Sequence, residues 1–386
     1  MTIRTIVSGA GLALMAATAH GQTGLRSNAH LGFTYPLSTN GIHAADYSNV
    51  FSVHCLAGVS RAEEAFCASG IASVVKDSAR GFLAGGVATV VGGSVSGFQS
   101  AGFINVTAGN VKGVQSAGFV NITGSGNGAQ LGGFANVAMH AVDGAQVAGF
   151  LNSADTATVQ VAGFVNVARN TNTQIAGFVN VADTVNGAQI AGFINVARRV
   201  KGTQIAGFIN IADSSDRPIG LINIIGNGEQ AVGVTVNEIG TTMVALRSGG
   251  KKLYGILGFG VNLMNGYRAT GMEAGIGAHF PVTRSFRFNG EITASSLTDR
   301  WYNTDFRSSV RFMPSFRAGN IEIFAGPSFN YTGSADIQGV GRVGYSIYTY
   351  DSYNFHHDFS IGLDAGIQYH FNSRKIVKDI IDGKKF

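Results

Sequence analysis

Two patterns of apolar and polar alternation divide this chain. Towards the C-terminus the alternation is sharp. Phe359, Ile361, Leu363, Ala365, Ile367, Tyr369 and Phe371 fall on one side of an extended strand, and Ser360, Asp364, Gln368 and His370 on the other. The same period of two runs through 272–280, 286–295, 306–317 and 321–331, and more weakly through 253–263. The polar faces hold Glu273, Glu291, Glu322 and Asp364 with Arg287, Arg307 and Arg311. Strands of this kind suit a membrane barrel, with apolar side chains toward lipid and opposite charges meeting in a narrow lumen. A soluble sandwich with one wet face is the alternative. Near the N-terminus Leu31, Phe33 and Tyr35 alternate, as do Phe51, Val53, Cys55, Ala57 and Val59. Two strands there and six later would make eight, the smallest common barrel.

The middle of the chain repeats. Its unit is Gln-Ile-Ala-Gly-Phe-Ile-Asn-Val-Ala, as at 189–197, with Phe at 103, 119, 134, 150, 164, 178, 193 and 208. Ile71 and Val87 fill the Phe slot upstream, and Leu221 fills it downstream. Ile190, Gly192, Ile194 and Val196 fall on one side of an extended chain, with Gln189, Ala191, Phe193 and Asn195 opposite. Turn formers such as those at 183–187 join the copies. Lys112, Asp143, Asp155, Arg169, Asp183, Arg198, Arg199 and Lys201 all lie outside the Ala-Gly-Phe-x-Asn segments. Two architectures use such a pattern. In a β-solenoid each repeat is one narrow coil bent at Ala-Gly, and like residues stack, so that Phe178 would be a rung of a buried ladder. In a meander each repeat is one antiparallel strand of a very wide barrel. Uniform turns and a mid-strand aromatic favour the solenoid.

Composition narrows the classes. With 55 Gly, 5 Pro, 13% charged and 45% hydrophobic residues in 386, the chain is neither collagen nor generic disorder. The net charge of +5 is modest, and no Lys/Arg cluster is interleaved with aromatics, so nucleic acid is not an expected partner. Residues 1–21 read as a signal peptide: Arg4, an apolar stretch over 6–17, then small residues at 17–21. Export leaves Cys55 and Cys67 either as one disulfide or as two buried thiols. The expected divisions are a signal peptide over 1–21, an N-terminal β-hairpin region over 22–64, repeats over 65–240, a barrel-like domain over 241–371 and a basic tail over 372–386. In the tail Ile376, Val377, Ile380 and Ile381 would share one face of a helix ended by Gly383, lying against anionic groups or the barrel mouth; a frayed terminus is the alternative.

The repeat frame over 67–237 resembles that of bacterial surface-repeat proteins, in which Gly-Leu-Gln-x-Gly-Leu-x-Asn is the related form; here Phe stands where Leu is common. Residues 241–371 resemble small bacterial outer-membrane barrels, although 372–386 continue past the terminal aromatic. The expected fold class is all-β: a repeat β-solenoid, or a repeat-built β-meander, followed by an antiparallel outer-membrane-type barrel. The resemblance implies an exported protein of the outer membrane or cell surface, in contact with outer-membrane lipid. No catalytic constellation stands out, and nothing calls for a cofactor or a metal. The most suggestive exposed stretch holds Tyr345, Tyr348, Tyr350, Tyr353, Phe355, His356 and His357, amphipathic side chains suited either to a surface glycan or protein ligand or to an aromatic girdle. Two functions follow. One is a barrel-anchored surface protein presenting its repeats for contact or adhesion. The other is a pore whose repeats are strands of one large barrel.

Overall fold

The computed structural model describes residues 24–263, 269–299, 304–334, 345–352 and 355–382. The expected signal peptide, Tyr353 and Gly383 lie outside them. The chain divides into two compact units, Met1–Ala182 and Asp183–Phe386, and the division falls within the strand Val179–Ala191.

The first unit is a β-solenoid. Consecutive repeats pair in parallel with like on like: Leu151 with Val165, Asn152 with Asn166, Gln160 with Gln174 and Ala162 with Ala176. Parallel pairing excludes the meander, whose neighbouring strands would run antiparallel. Each coil turns back at Ala-Gly-Phe. There a Cβ on Gly177 would lie 2.1 Å from the carbonyl oxygen of Gly163, so the corner stacks only with glycine.

The solenoid also begins earlier than the repeat motif does. Leu25–Thr34 pairs in parallel with Tyr47–Ser60, which pairs in parallel with Ala62–Ser69. The 22–64 segment is therefore the opening of the solenoid and not a separate hairpin region, and it gives no strand to the barrel. Leu31 and Val53 do point outward. A period of two reports which way a side chain points and is blind to whether the next strand runs parallel.

The coil interior combines Val and Ala toward one edge with a polar half behind the Phe corner. Asn105, Asn121, Asn136, Asn152 and Asn166 are fully buried, as are Gln99, Gln115, Gln146, Gln160 and Gln174. Each Asn side-chain amide donates to the Asn one coil later, at 2.8–3.0 Å along 105→121→136→152→166→180. Each Gln donates to the Gln one coil earlier, at 2.8–3.1 Å along 174→160→146→130→115→99. The two ladders meet at Thr89, whose hydroxyl accepts from Gln99 Nε2 at 2.8 Å and donates to Asn105 Oδ1 at 2.5 Å. The result is one unbroken donor-to-acceptor chain folded back on itself at Thr89.

The aromatic ladder forms, but on the outside. Phe103, Phe119, Phe134, Phe150, Phe164 and Phe178 stack with centroids 4.7–4.9 Å apart. Phe178 is 38% exposed, which corrects the expectation of a buried rung. Strict alternation puts Phe178 on the same side as Gln174, Ala176 and Asn180. The bend at Gly177 and Phe178 breaks that alternation, leaving both exposed at the apex while the chain re-enters the interior at Asn180.

The second unit begins with further coils (Asn195 pairs with Asn210, and Asn210 with Asn223) and continues into a closed barrel. Among the described residues, eight antiparallel strands make it: Gln230–Asn237, Thr241–Gly249, Leu253–Asn262, Ala269–Pro281, Phe286–Thr298, Thr304–Ala318, Ile321–Ser334 and Phe355–Phe371. Closure runs from the Gln230–Phe371 pair to the Asn237–Asp364 pair. The barrel starts at Gln230 and not at 241, because Val232, Val234 and Val236 already alternate outward. The two strands sought near the N-terminus are thus Gln230–Asn237 and Thr241–Gly249. A further strand, Tyr345–Ser352, pairs with the part of Phe355–Phe371 that extends past the closing strand. The tail does form a helix, Arg374–Ile381. It docks on the last coils. Val377 is buried, Ser373 Oγ donates to the Ile225 carbonyl at 3.0 Å, and Arg198 pairs with Asp382 at 2.9 Å.

Candidate functional site

The barrel lumen holds the densest chemistry. Alternation sends the polar face of every strand inward, and eight strands leave an interior that side chains can fill. Arg247 Nε donates to Glu291 Oε1 at 2.7 Å, and Tyr254 Oη reaches the same oxygen at 3.0 Å. Arg311 donates to both oxygens of Glu273, at 2.5 and 3.1 Å, and lies 3.5 Å from Glu291 and 3.2 Å from Asp364. Nearer the end marked by Gln230, Arg287 forks onto Glu322 at 2.5 and 3.0 Å and reaches Glu229 at 2.8 Å. Gln368 and His370 complete the shell of Glu322. Arg307 bonds Glu238 near the opposite end. All these lumen side chains but those of Glu229 and Glu238 are almost wholly buried. The arrangement is a set of interlocked ion pairs across the barrel and not a polar conduit.

The expected charge face is thus brought together: Glu273, Glu291, Glu322, Asp364, Arg287, Arg307 and Arg311 all point inward. Sequence reasoning missed Arg247, Tyr254, Glu229 and Glu238. The first two were legible as alternation: Met243, Ala245 and Arg247 share an inward face, as do Tyr254 and Ile256.

The aromatic stretch forms a hairpin at the other end. Tyr345, Tyr348 and Tyr350 are exposed, Tyr345 by 75%. His357 stacks on Tyr350 at 4.3 Å and bonds Tyr331 Oη at 2.9 Å. His356 faces Asp351 at 2.6 Å, and Asp358 accepts from Ser346 at 2.6 Å. His356, His357 and Asp358 therefore turn to three different partners. Phe355 opens the strand Phe355–Phe371, with its ring 5.2 Å from that of His357.

A second polar cluster closes the start of the solenoid. His54 Nε2 lies 3.2 Å from His30 Nδ1, and His54 Nδ1 lies 3.1 Å from Ser69 Oγ. Glu63 accepts from Asn49 at 3.2 Å and from Ser52 at 2.8 Å. Burial, with His30 beside it, pushes His54 down to about 4, and burial raises Glu63. His54 is therefore neutral at pH 7 and links the Ser69 hydroxyl to the His30 ring. Burial, and then the nearby Glu63, push the Cys67 thiol up to about 12. Cys55 and Cys67 are both free, which removes the disulfide alternative: Cys55 is on the outer face of its strand and Cys67 on the inner face of the next. Of the two, only Cys67 is a buried thiol.

No family model and no curated protein matches the chain. Two solved structures align with part of it. A structure described as de novo design of transmembrane beta-barrels is 13% identical, covering 38% of this chain and 96% of that one, with a TM-score of 0.23. Neisserial surface protein A is 15% identical, covering 37% of this chain and 94% of that one, with a TM-score of 0.22.

Proposed function

We propose that the protein is a non-enzymatic bacterial outer-membrane protein whose barrel is a sealed anchor for a repeat solenoid. The inverted polarity of the barrel carries this reading. Its exposed wall is apolar, including Phe259, Met272, Ile292, Val310, Phe329 and Leu363, while its ion pairs are enclosed. A soluble sandwich would bury the apolar face and wet the polar one. Every connection at the end that holds Gln230 and Phe371 is short (250–252, 282–285, 319–320), whereas at the other end only 238–240 is as short and the strands that end at Asn262 and Ser334 are followed by longer segments. Short turns are periplasmic in bacterial barrels. The last coils and the C-terminal helix, joined through Gln230 and Phe371, therefore belong on the periplasmic side. Contact with an external glycan or protein then falls to the Tyr345–His357 hairpin and not to the coils. The filled lumen disfavours the pore reading.

Tags and bilayer recordings test this. A tag in 335–344 should bind antibody on intact cells, and one in 183–187 should bind only after permeabilisation. Reversed labelling would overturn the orientation. Stepwise conductance in planar bilayers would restore the pore, and a folded protein without detergent or lipid would end the membrane reading.

A further inference from the structure

We infer that the Phe-bearing edge of the solenoid is a lipid-contacting surface that lies in one leaflet of a bilayer. The inference rests on the membrane reading of the barrel, but its observations come from the coils. Six stacked Phe rings, 103 to 178, form an exposed ridge about 24 Å long at one strand spacing per coil. Leu131, Val147 and Ile175 flank the ridge before the corner, and Val167 and Val181 after it, each exposed by more than a third. From five residues before each of these Phe residues to four after it, no charged residue occurs. Lys112, Asp143, Asp155 and Arg169 lie instead toward the far edge of the coils. The apolar flank, four residues deep, spans about 13 Å, close to half of a hydrocarbon core about 30 Å thick.

Water would select the opposite arrangement. A soluble solenoid turns its Val, Ile and Phe inward, whereas here the Phe-bearing half of each coil encloses Asn and Gln amides with small Ala side chains and leaves Phe and the larger aliphatic side chains outside, while the buried Val95, Val111 and Val142 lie toward the far edge. A continuous exposed apolar ridge of this size marks a contact with membrane or protein. Lipid is favoured because the barrel of the same chain has the same inversion. Within the second unit a coil corner meets the apolar barrel wall. The corner of the last coil packs on the outward face of the barrel, where a Cβ on Gly255 would lie 2.1 Å from the Gly220 carbonyl oxygen. The apolar groove there continues from Pro218 and Ile219 to Ile276 and Ile292 on the exposed wall.

The test uses the full chain with its single tryptophan removed (Trp301→Phe) and one tryptophan placed at a time. Each variant is folded into phosphatidylethanolamine–phosphatidylglycerol vesicles carrying brominated acyl chains. Phe164→Trp and Phe134→Trp should each lose most of their emission to the bromines, and Arg169→Trp, toward the charged edge, little. Leu363→Trp reports the barrel separately. If Leu363→Trp is quenched while both Phe replacements are reached by aqueous acrylamide and not by bromine, the ridge is not in lipid and the inference fails, with the barrel reading intact. If both are shielded from acrylamide and bromine alike, a second copy or another protein covers the ridge, and the inference fails again. An unquenched Leu363→Trp removes the membrane reading itself. Two ridge positions guard against one misfolded variant.

Discussion

Arg311 is where the lumen is most open to a quantitative test. Around it two guanidinium groups, Arg247 and Arg311, face three carboxylates, Glu273, Glu291 and Asp364. Arg311→Met leaves Arg247 alone against all three, in a space that solvent does not reach. Removing one partner of a buried pair costs about 3–5 kcal/mol, because the remaining charges stay desolvated. Glu273→Gln acts differently. It leaves two cations against two anions, and the amide oxygen still accepts from Arg311, so about 1 kcal/mol is expected. Arg311→Lys keeps the charge but loses the two-pronged contact with Glu273 and should fall between them. Urea unfolding in phospholipid vesicles, followed by heat-modifiable gel mobility, gives the three values, provided the slope with denaturant is unchanged. The reasoning is refuted if Glu273→Gln costs as much as Arg311→Met, or if Arg311→Met lies within about 1 kcal/mol of the parent.

Other outcomes follow from the same physics. The pKa of His54 lies below its unfolded value of about 6.5, so its contribution to stability is complete above pH 6.5 and is lost as pH falls toward 4, by on the order of 2 kcal/mol; hydrogen exchange over 25–70 should rise across that window. Thr89→Val orphans both Gln99 Nε2 and Asn105 Oδ1 and should cost about 2–3 kcal/mol, with exchange rising near that coil alone. Phe178→Ala, at an exposed site, should cost about 1–2 kcal/mol and not the 3–5 of a core Phe, measured by the same exchange method. Deleting 372–386 should leave the heat-modifiable barrel intact while exchange rises over 209–225, where the helix had docked.

Much of the barrel was legible because its signal is local. Phe359 to Phe371 alternate within one strand, and each lumen charge except Glu229 and Glu238 could be assigned a face from its neighbours. The start of the barrel was not, because the Val232–Val236 strand follows directly on Asn223 and looks like an eroded repeat. The solenoid was legible as a period and misread as an interior. Phe is the largest apolar residue in the repeat, so burial was expected of it. What decides the matter is that Asn and Gln recur in fixed slots, where each can bond its own copy one coil away. The two free cysteines show the limit of composition: export would permit a disulfide, but strand faces hold Cys55 and Cys67 apart.

The turn of the hydrogen-bond chain at Thr89 bears on how such an array can change in length. Duplicating a coil adds one amide to each arm, and both arms keep their direction, so the new copy fits wherever it is inserted. Deleting a coil shortens both arms equally. Coil number is therefore free to drift, whereas the two ends are not. At the far end Pro218 stands in the Gln slot beside Gln204, whose Oε1 has no donor among the described residues, and Asn223 gives its amide to the Ser248 carbonyl of the barrel. A lineage of such proteins should vary in repeat count by whole coils, while a Thr89-like hydroxyl and the junction at Asn223 stay fixed in place.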